Sequence, residues 1–155
     1  MVDLQRNLNS ETVDHADPAD APRAAPTATV REVLHLLRER STGCALICDD
    51  EKLIGIFTER DALRLMAEET DWDAPISNVM VTEPVTLSEQ STVAEAVAKM
   101  AAGGYRRMPL VGSDGKAIGL VKVAGILHYL VQHFPSVVYT LPPTPHHATQ
   151  EREGA

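Results

Sequence analysis

Two polar residues, Thr58 and Asp61, follow the apolar run Gly55-Ile56-Phe57 where a predicted strand becomes a predicted helix. The first turn of a helix has unpaired backbone N–H groups and a partial positive charge, and both attract phosphate. A carboxylate there can accept hydrogen bonds from a ribose diol, and a threonine hydroxyl can donate to a phosphate or ribose oxygen. The same spacing also suits a simple helix cap, with Asp61 in the first turn. The pair therefore predicts sugar-phosphate binding or helix capping, and the two roles are compatible.

The elements around this pair are written twice in the chain. Thr29-Val30-Arg31-Glu32 recurs as Thr92-Val93-Ala94-Glu95, 63 residues later, and Gly55 recurs as Gly119, 64 residues later. Each T-x-x-E sequence is a capping box, and apolar residues follow it with the spacing of one helix face. Because a repeat of this length defines the architecture, we predict two βαββα units, residues 27–74 and residues 75–134.

The two copies differ at the positions that could bind a ligand. Lys122 corresponds to Thr58, and Gly125 corresponds to Asp61. Loss of a charged acceptor that anchors a ligand costs roughly 1.5–3 kcal/mol. Lys122 can still contact an anion, so the sequence predicts one competent site and one weak or empty second site that retains Lys122.

Both ends of the chain lie outside the repeat. Residues 1–26 are rich in Ala, Pro and Asp, which predicts a flexible N-terminal arm, although Glu11 to His15 could add an edge strand. Residues 135–155 become proline-rich and polar, which predicts a disordered C-terminal tail. Neither end has the length or apolar content of an output domain. We therefore expect a regulated partner to be a separate protein.

Composition restricts the class of protein. The chain has a net charge of −8, with 44% hydrophobic and 23% charged residues, as soluble globular proteins do. It lacks a run of Lys or Arg, so we expect neither nucleic acid nor an anionic membrane as a general partner. The longest apolar stretch, Gly119 to Val131, is too short to cross a bilayer, and the N-terminus does not resemble a secretory signal. We expect a cytoplasmic protein.

Cysteine and histidine placement gives no sign of a metal site or of catalysis. Cys44 and Cys48 lie four residues apart on one predicted strand, about 13 Å at ~3.3 Å per residue, too far for a disulfide. Free thiols in a reducing compartment are the simplest interpretation. Metal-ligating partners are not found nearby. The six histidines have no nucleophile or paired carboxylate at an informative spacing, so we do not expect an enzyme.

The repeat, the stretch from Gly55 to Asp61, Val79-Met80-Val81-Thr82 and Arg106-Arg107-Met108-Pro109 together resemble the cystathionine-beta-synthase (CBS) domain, in the tandem pair called a Bateman module. The resemblance covers about residues 27–134. It implies an α/β (α+β) fold of two pseudo-symmetric βαββα CBS units packed through their sheets. It also implies clefts for adenine nucleotides or related ligands, a homodimer, and a regulatory role instead of an enzymatic one.

The family pattern assigns roles to residues of both copies. Thr58 and Asp61 would serve phosphate and ribose, and basic residues of the other copy would meet the phosphates. Those basic residues correspond to Arg106 and Arg107, with Tyr105 beside them. Arginine offers a rigid fork of donors that suits phosphate. Without the family pattern, the same pair would be read as solvated surface cations.

The adenine base would lie in an apolar slot near Ile56, with the backbone of Thr42, Gly43 and Cys44 reading its edge. The candidate ligands are AMP, ADP, ATP, S-adenosylmethionine and NAD, and we expect no obligatory cofactor. The leading hypothesis is a ligand-sensing regulatory module that acts on an unidentified partner protein. The alternative is a dimerisation scaffold that binds no ligand.

Overall fold

The structure is a computed structural model and describes residues 3–139. In these residues the helices are α1 (Leu4–Ser10), α2 (Val30–Glu39), α3 (Glu59–Ala67), α4 (Val93–Gly103), α5 (Val123–His133) and α6 (Pro135–Tyr139). The strands are β1 (Arg23–Ala24), β2 (Cys44–Asp49), β3 (Lys52–Thr58), β4 (Val81–Thr82), β5 (Leu87–Ser88), β6 (Arg107–Val111) and β7 (Ala117–Lys122). Two short 3₁₀ turns, Val13–Ala16 and Ile76–Asn78, complete the list.

The first unit contains β1, α2, β2, β3 and α3. Strand β1 runs parallel to β2, and β2 runs antiparallel to β3. Helix α2 is capped by Thr29, whose hydroxyl accepts the Glu32 N–H at 3.1 Å while the Glu32 carboxylate accepts the Thr29 N–H at 2.8 Å. Val30, Val33 and Leu37 of α2 are buried against the sheet. The predicted capping box and apolar stripe are both confirmed.

The second unit repeats this arrangement with β5, α4, β6, β7 and α5. Leu87 of β5 pairs with Leu110 of β6, as Ala24 of β1 pairs with Ile47 of β2, so the 63-residue offset also holds in the sheet register. Helix α4 is capped by Thr92, whose hydroxyl accepts the Glu95 N–H. The predicted fold of two similar βαββα units is confirmed.

The two units meet through their sheets. Leu46 and Ile56 of the first unit pack with Leu120 of the second in a buried cluster of their own. Backbone hydrogen bonds connect the hairpin ends, with the Leu53 N–H donating to Gly115 O and the Ala117 N–H donating to Glu51 O, both at 3.1 Å. Apolar packing and main-chain pairing thus fix the position of one unit against the other.

The prediction of a flexible arm is wrong for residues 3–26. Val13 and Ala16 are fully buried in the core of the second unit, and the Tyr129 hydroxyl donates to the Glu11 carboxylate. In place of an edge strand, Glu11 to His15 supplies one bridge, between Thr12 and Thr92, and then the 3₁₀ turn. Composition misled the prediction, because a few small apolar side chains at the right positions suffice to bury this segment.

The segment before each unit crosses to the other unit. Ile76 lies in the core of the first unit, and β4 pairs with β3. In the same way Val13 lies in the core of the second unit, and Ala19 bridges Leu120. The predicted limits 27–74 and 75–134 therefore match the repeat in the sequence. They do not match the packing, because the segment before each unit belongs to the core or sheet of the other.

The predicted C-terminal tail begins with a helix, since residues 135–139 form α6, and residues 140–155 lie outside the described residues. Within residues 3–139, no helix has the length and apolar character needed to span a membrane.

Candidate functional site

The Thr58–Asp61 pair closes on itself at the start of α3. One carboxylate oxygen, Asp61 Oδ2, accepts the Thr58 N–H at 2.9 Å and the Thr58 hydroxyl at 2.8 Å. The other oxygen, Oδ1, lies 3.8 Å from Arg64 Nη2. Asp61 is only 8% exposed. The pair therefore caps helix α3. The bonds to Thr58 already occupy Asp61 Oδ2, one of the two carboxylate oxygens that could accept hydrogen bonds from a ribose.

The hairpin of β2 and β3 places Gly43 and Cys44 beside this pair. Cys44 is the cross-strand partner of Thr58. Gly43 O accepts the N–H of Glu59, the first residue of α3, at 3.0 Å. The predicted residues Gly43, Cys44, Thr58 and Asp61 are thus brought to one end of the first sheet, where the backbone passes from strand to helix.

Arg107 of the second unit reaches the same place. Its Nη1 lies 4.0 Å from Glu59 Oε2. A Cβ atom placed on Gly43 would fall 2.7 Å from Arg107 Nη2 and 2.7 Å from Glu59 Oε2. Glycine leaves space at this position for both charged groups where they lie, so the guanidinium of one unit can approach the helix start of the other.

The charges of this end surround a buried thiol. Burial raises the pKa of Cys44, the positive charges of Arg107 and Lys122 act to lower it, and the Glu59 carboxylate acts to raise it. Lys122 is the cross-strand partner of Arg107. The structure therefore gathers Lys122, predicted for a second cleft, with Arg107 near the first site.

Other predicted residues lie elsewhere or are turned inward. Tyr105 is 42% exposed, and its ring covers Gly103. Arg106 contributes its carbonyl oxygen to the start of α5, where the Val123 N–H donates to it. Ile56 is buried between the sheets and does not line an open slot. The Thr42 N–H donates to Leu37 O and so completes the end of α2.

Sequence reasoning missed Glu59 and Arg64, the two charged neighbours of the predicted pair. Glu59 faces Arg107, and the Arg64 guanidinium lies near Asp61 and also donates to Val79 O at 3.5 Å. Their spacing contained the signal. Glu59 directly follows the capping threonine, and Arg64 stands three residues after Asp61, which is one helical turn.

In the second unit, the chain's own N-terminal segment covers the corresponding position. A Cβ atom on Gly125 would fall 2.3 Å from Ala16 O, and one on Gly119 would fall 3.1 Å from Ala19 O. Ala19 and Leu120 also exchange two backbone hydrogen bonds of 2.9 Å. The glycine that replaces the aspartate is therefore a packing requirement of this segment.

A cavity of about 340 Å³ lies away from the predicted site, between α2, α3 and Trp72. Its other lining residues are Arg31, Leu34, His35, Arg38 and Met66. It contains none of the predicted ligand-binding residues. In residues 3–139, no group of three His, Cys, Asp or Glu side chains is placed to hold a metal ion. His146 and His147 are outside that range.

Comparison with known proteins agrees with this architecture. The CBS domain model matches residues 19–68 and 76–132, most of the chain. The chain therefore belongs to the CBS domain family, and it carries the domain twice. It is 34% identical over 130 residues to an uncharacterized protein of Methanopyrus kandleri. The aligned part covers 80% of this chain and 66% of that relative, which is just under two thirds of its length.

Solved structures of CBS pairs show the same fold. A CBS domain protein from Pyrobaculum aerophilum complexed with AMP superposes with a TM-score of 0.69, at 22% identity, over 83% of this chain and 96% of its own. The CBS pair of protein MJ0100, in complex with 5′-methylthioadenosine and S-adenosylmethionine, gives a TM-score of 0.67, at 22% identity, over 76% and 97%. The family model itself overlaps the N-terminal segment, from residue 19.

Proposed function

We propose that this CBS pair is a regulatory module that binds an adenine nucleotide or related adenosyl ligand at the start of α3. The observation that carries the proposal is the convergence of Thr58 and Asp61 of one unit with Arg107 of the other, against the bare backbone of Gly43. Diol acceptor, hydroxyl and guanidinium are the groups that a nucleoside phosphate requires. Two CBS structures of the same fold contain such ligands.

Ligand binding at this place would change how the two units pack. Arg107 belongs to the second unit and Glu59 to the first, so a ligand that contacts Arg107 and the start of α3 bridges the boundary between them. Such a ligand can shift the packing only by the difference in its affinity for the two arrangements. A separate partner protein would then read that difference.

Replacement of Asp61 tests the site. Asp61→Ala should weaken binding of AMP, ADP, ATP, NAD or S-adenosylmethionine, whichever binds the wild type, by at least about tenfold, or 1.4 kcal/mol. Isothermal titration calorimetry measures this. Asp73→Ala is the matched control, because Asp73 pairs with Arg31 on another surface. Circular dichroism checks the fold, since loss of the cap also costs about 1 kcal/mol. Unchanged affinity in a folded variant would contradict the ribose role.

A scaffold without ligand is the second candidate, and the buried, already bonded carboxylate of Asp61 favours it. A ligand at 100 times its dissociation constant stabilises a protein by about 2.7 kcal/mol. A thermal-shift screen with the five candidate ligands at millimolar concentration therefore separates the two functions. Absence of any shift in a folded sample would favour the scaffold.

Both functions would use a homodimer formed through the helices. Leu63 of α3 is 68% exposed and its counterpart Leu127 of α5 is 56% exposed. Exposed apolar residues in matched positions of both units make a surface that a second copy can cover. We expect Leu63→Glu combined with Leu127→Glu to give a monomer in sedimentation velocity, while the wild type sediments as a dimer. A wild-type monomer would remove this part of the proposal.

A further inference from the structure

Within residues 3–139, the acidic side chain paired with Arg107 is that of Glu59. It is the first residue of α3 and belongs to the first unit, whereas Arg107 begins β6 of the second. The carboxylate and the guanidinium face each other across the boundary, with Glu59 Oε2 4.0 Å from Arg107 Nη1. Glu59 therefore stands at the group that would receive a phosphate.

We propose that Glu59 is a specificity-determining residue of the nucleotide site, because its carboxylate holds the place on Arg107 that a ligand phosphate would take. The inference rests on the function proposed above and adds a selection rule to it. The carboxylate disfavours ligands in proportion to the negative charge they bring to Arg107. Adenosyl ligands without a phosphate do not meet this competition.

The Arg107 guanidinium and the Glu59 carboxylate occupy the same space beside Gly43. Arg107 Nη2 and Glu59 Oε2 both lie within 2.7 Å of the point where a Gly43 side chain would begin. The Glu59 backbone is held there as well, since its N–H donates to Gly43 O at 3.0 Å. A phosphate that engages both terminal nitrogens of Arg107 must therefore move the Glu59 side chain aside.

The Glu59 side chain is free to move in this way. It is 69% exposed, whereas that of Arg107 is 32% exposed. An exposed carboxylate can turn into solvent at little cost, so it competes with a phosphate without blocking it. Lys122, the cross-strand partner of Arg107, adds a second positive charge to the same end.

Removal of the Glu59 charge tests the inference directly. AMP and adenosine are titrated into the wild type, Glu59→Gln and Glu51→Gln by calorimetry at low ionic strength. Glu51 is the matched control, because its carboxylate pairs with Lys116 across the same boundary, at 2.9 Å, but at the opposite end of the hairpins. We expect Glu59→Gln to bind AMP about two- to fivefold more tightly, the range of an exposed charge pair. Adenosine affinity should stay the same in all three proteins.

Two further measurements identify the cause. The gain in AMP affinity should shrink at about 0.5 M salt, because exposed charges are screened. In an Arg107→Gln background, Glu59→Gln should give no gain, because the shared group is gone. Thermal unfolding of each variant checks that the fold is kept.

The possible outcomes distinguish the role of Glu59 from nucleotide binding itself. Equal or weaker AMP binding by Glu59→Gln, with adenosine and AMP both binding the wild type, overturns the role of Glu59 and leaves the nucleotide site standing. An equal gain for adenosine and AMP also overturns it, since competition for phosphate would then not be the cause. Binding of neither ligand to any variant overturns this role, and absence of a thermal shift with all five candidate ligands overturns the nucleotide site as well.

Discussion

Asp61 and Gly125 occupy the same position of the repeat, yet their surroundings are opposite. Around Asp61, a side chain is accommodated and bonded, with Thr58 and Arg64 as its partners. At Gly125 the carbonyl of Ala16 comes so close that a Cβ atom would fall 2.3 Å away. The repeat thus preserves the backbone path in both copies, while the segment laid over each helix start decides whether a side chain fits there.

The two covering segments explain this difference. Residues Val79 to Thr82 cover the first unit, and Met80 Sδ lies 2.4 Å from where a Gly55 side chain would begin. Arg64 reaches this segment through Val79 O. In the second unit the counterpart of Arg64 is His128, which hydrogen-bonds to Gln132 on its own helix. In the first unit Arg64 therefore lies beside Asp61 and contacts the covering segment, whereas its counterpart in the second unit bonds within its own helix.

Introduction of the missing aspartate is the strongest test of the comparison. We expect Gly125→Asp to destabilise the protein by at least about 3 kcal/mol, because the side chain meets the Ala16 carbonyl and brings an unpaired charge into a packed site. Urea unfolding measures this. Ala124→Asp, one residue earlier and exposed, is the matched control and should cost little. A Gly125→Asp protein of wild-type stability would show that the N-terminal segment can leave the second unit.

The next effect concerns the anchor of that segment. Tyr129 of α5 corresponds to Leu65 of α3, and its hydroxyl donates to the Glu11 carboxylate. We expect Tyr129→Phe to lower the free energy of unfolding by about 1.5–3 kcal/mol, the value of a hydrogen bond to a charged group. Tyr105→Phe, on an exposed ring, should have no measurable effect. Faster proteolysis before Val13 in the Tyr129 variant would place the loss in the N-terminal segment, and equal proteolysis would place it elsewhere.

The smallest expected difference separates the two helix caps. The Thr29 hydroxyl also donates to the Glu32 carboxylate, at 3.1 Å, whereas the Glu95 carboxylate of the second cap pairs with Lys99 Nζ at 2.8 Å. Thr29→Ala should therefore cost about 1 kcal/mol, and Thr92→Ala a few tenths less. Chemical denaturation of both variants measures the difference. A larger loss at Thr92 would reverse the ranking.

Much of the fold could be predicted because its signals are local or repeated. The capping threonines, the helical stripes and the strand before Thr58 depend on residues a few positions apart. The repeat in the sequence then indicated that both halves have the same order of strands and helices. The second helix of each predicted βαββα unit is present as α3 and α5. Strand β1 was not predicted, because two residues, Arg23 and Ala24, have no periodicity to detect.

The site was predictable only in part, for a geometric reason. Thr58, Asp61 and Gly43 are near one another through a single hairpin, so their proximity follows from local structure. Arg106 and Arg107 are adjacent, and neighbouring residues at a strand point to opposite sides. The sequence could not decide which of them faces the first unit, and the structure selects Arg107.

The sequence alone determined the duplicated units, their helix starts and the loss of the aspartate in the second copy, because these features are encoded by residue type and short spacing. Only the tertiary structure decided where the N-terminal segment lies and which charges meet at the first helix start. Those outcomes depend on contacts between residues far apart in the chain, such as Ala16 with Gly125 and Glu59 with Arg107. The free energy of these contacts arises only when the two units pack together, so it cannot be read from either segment alone.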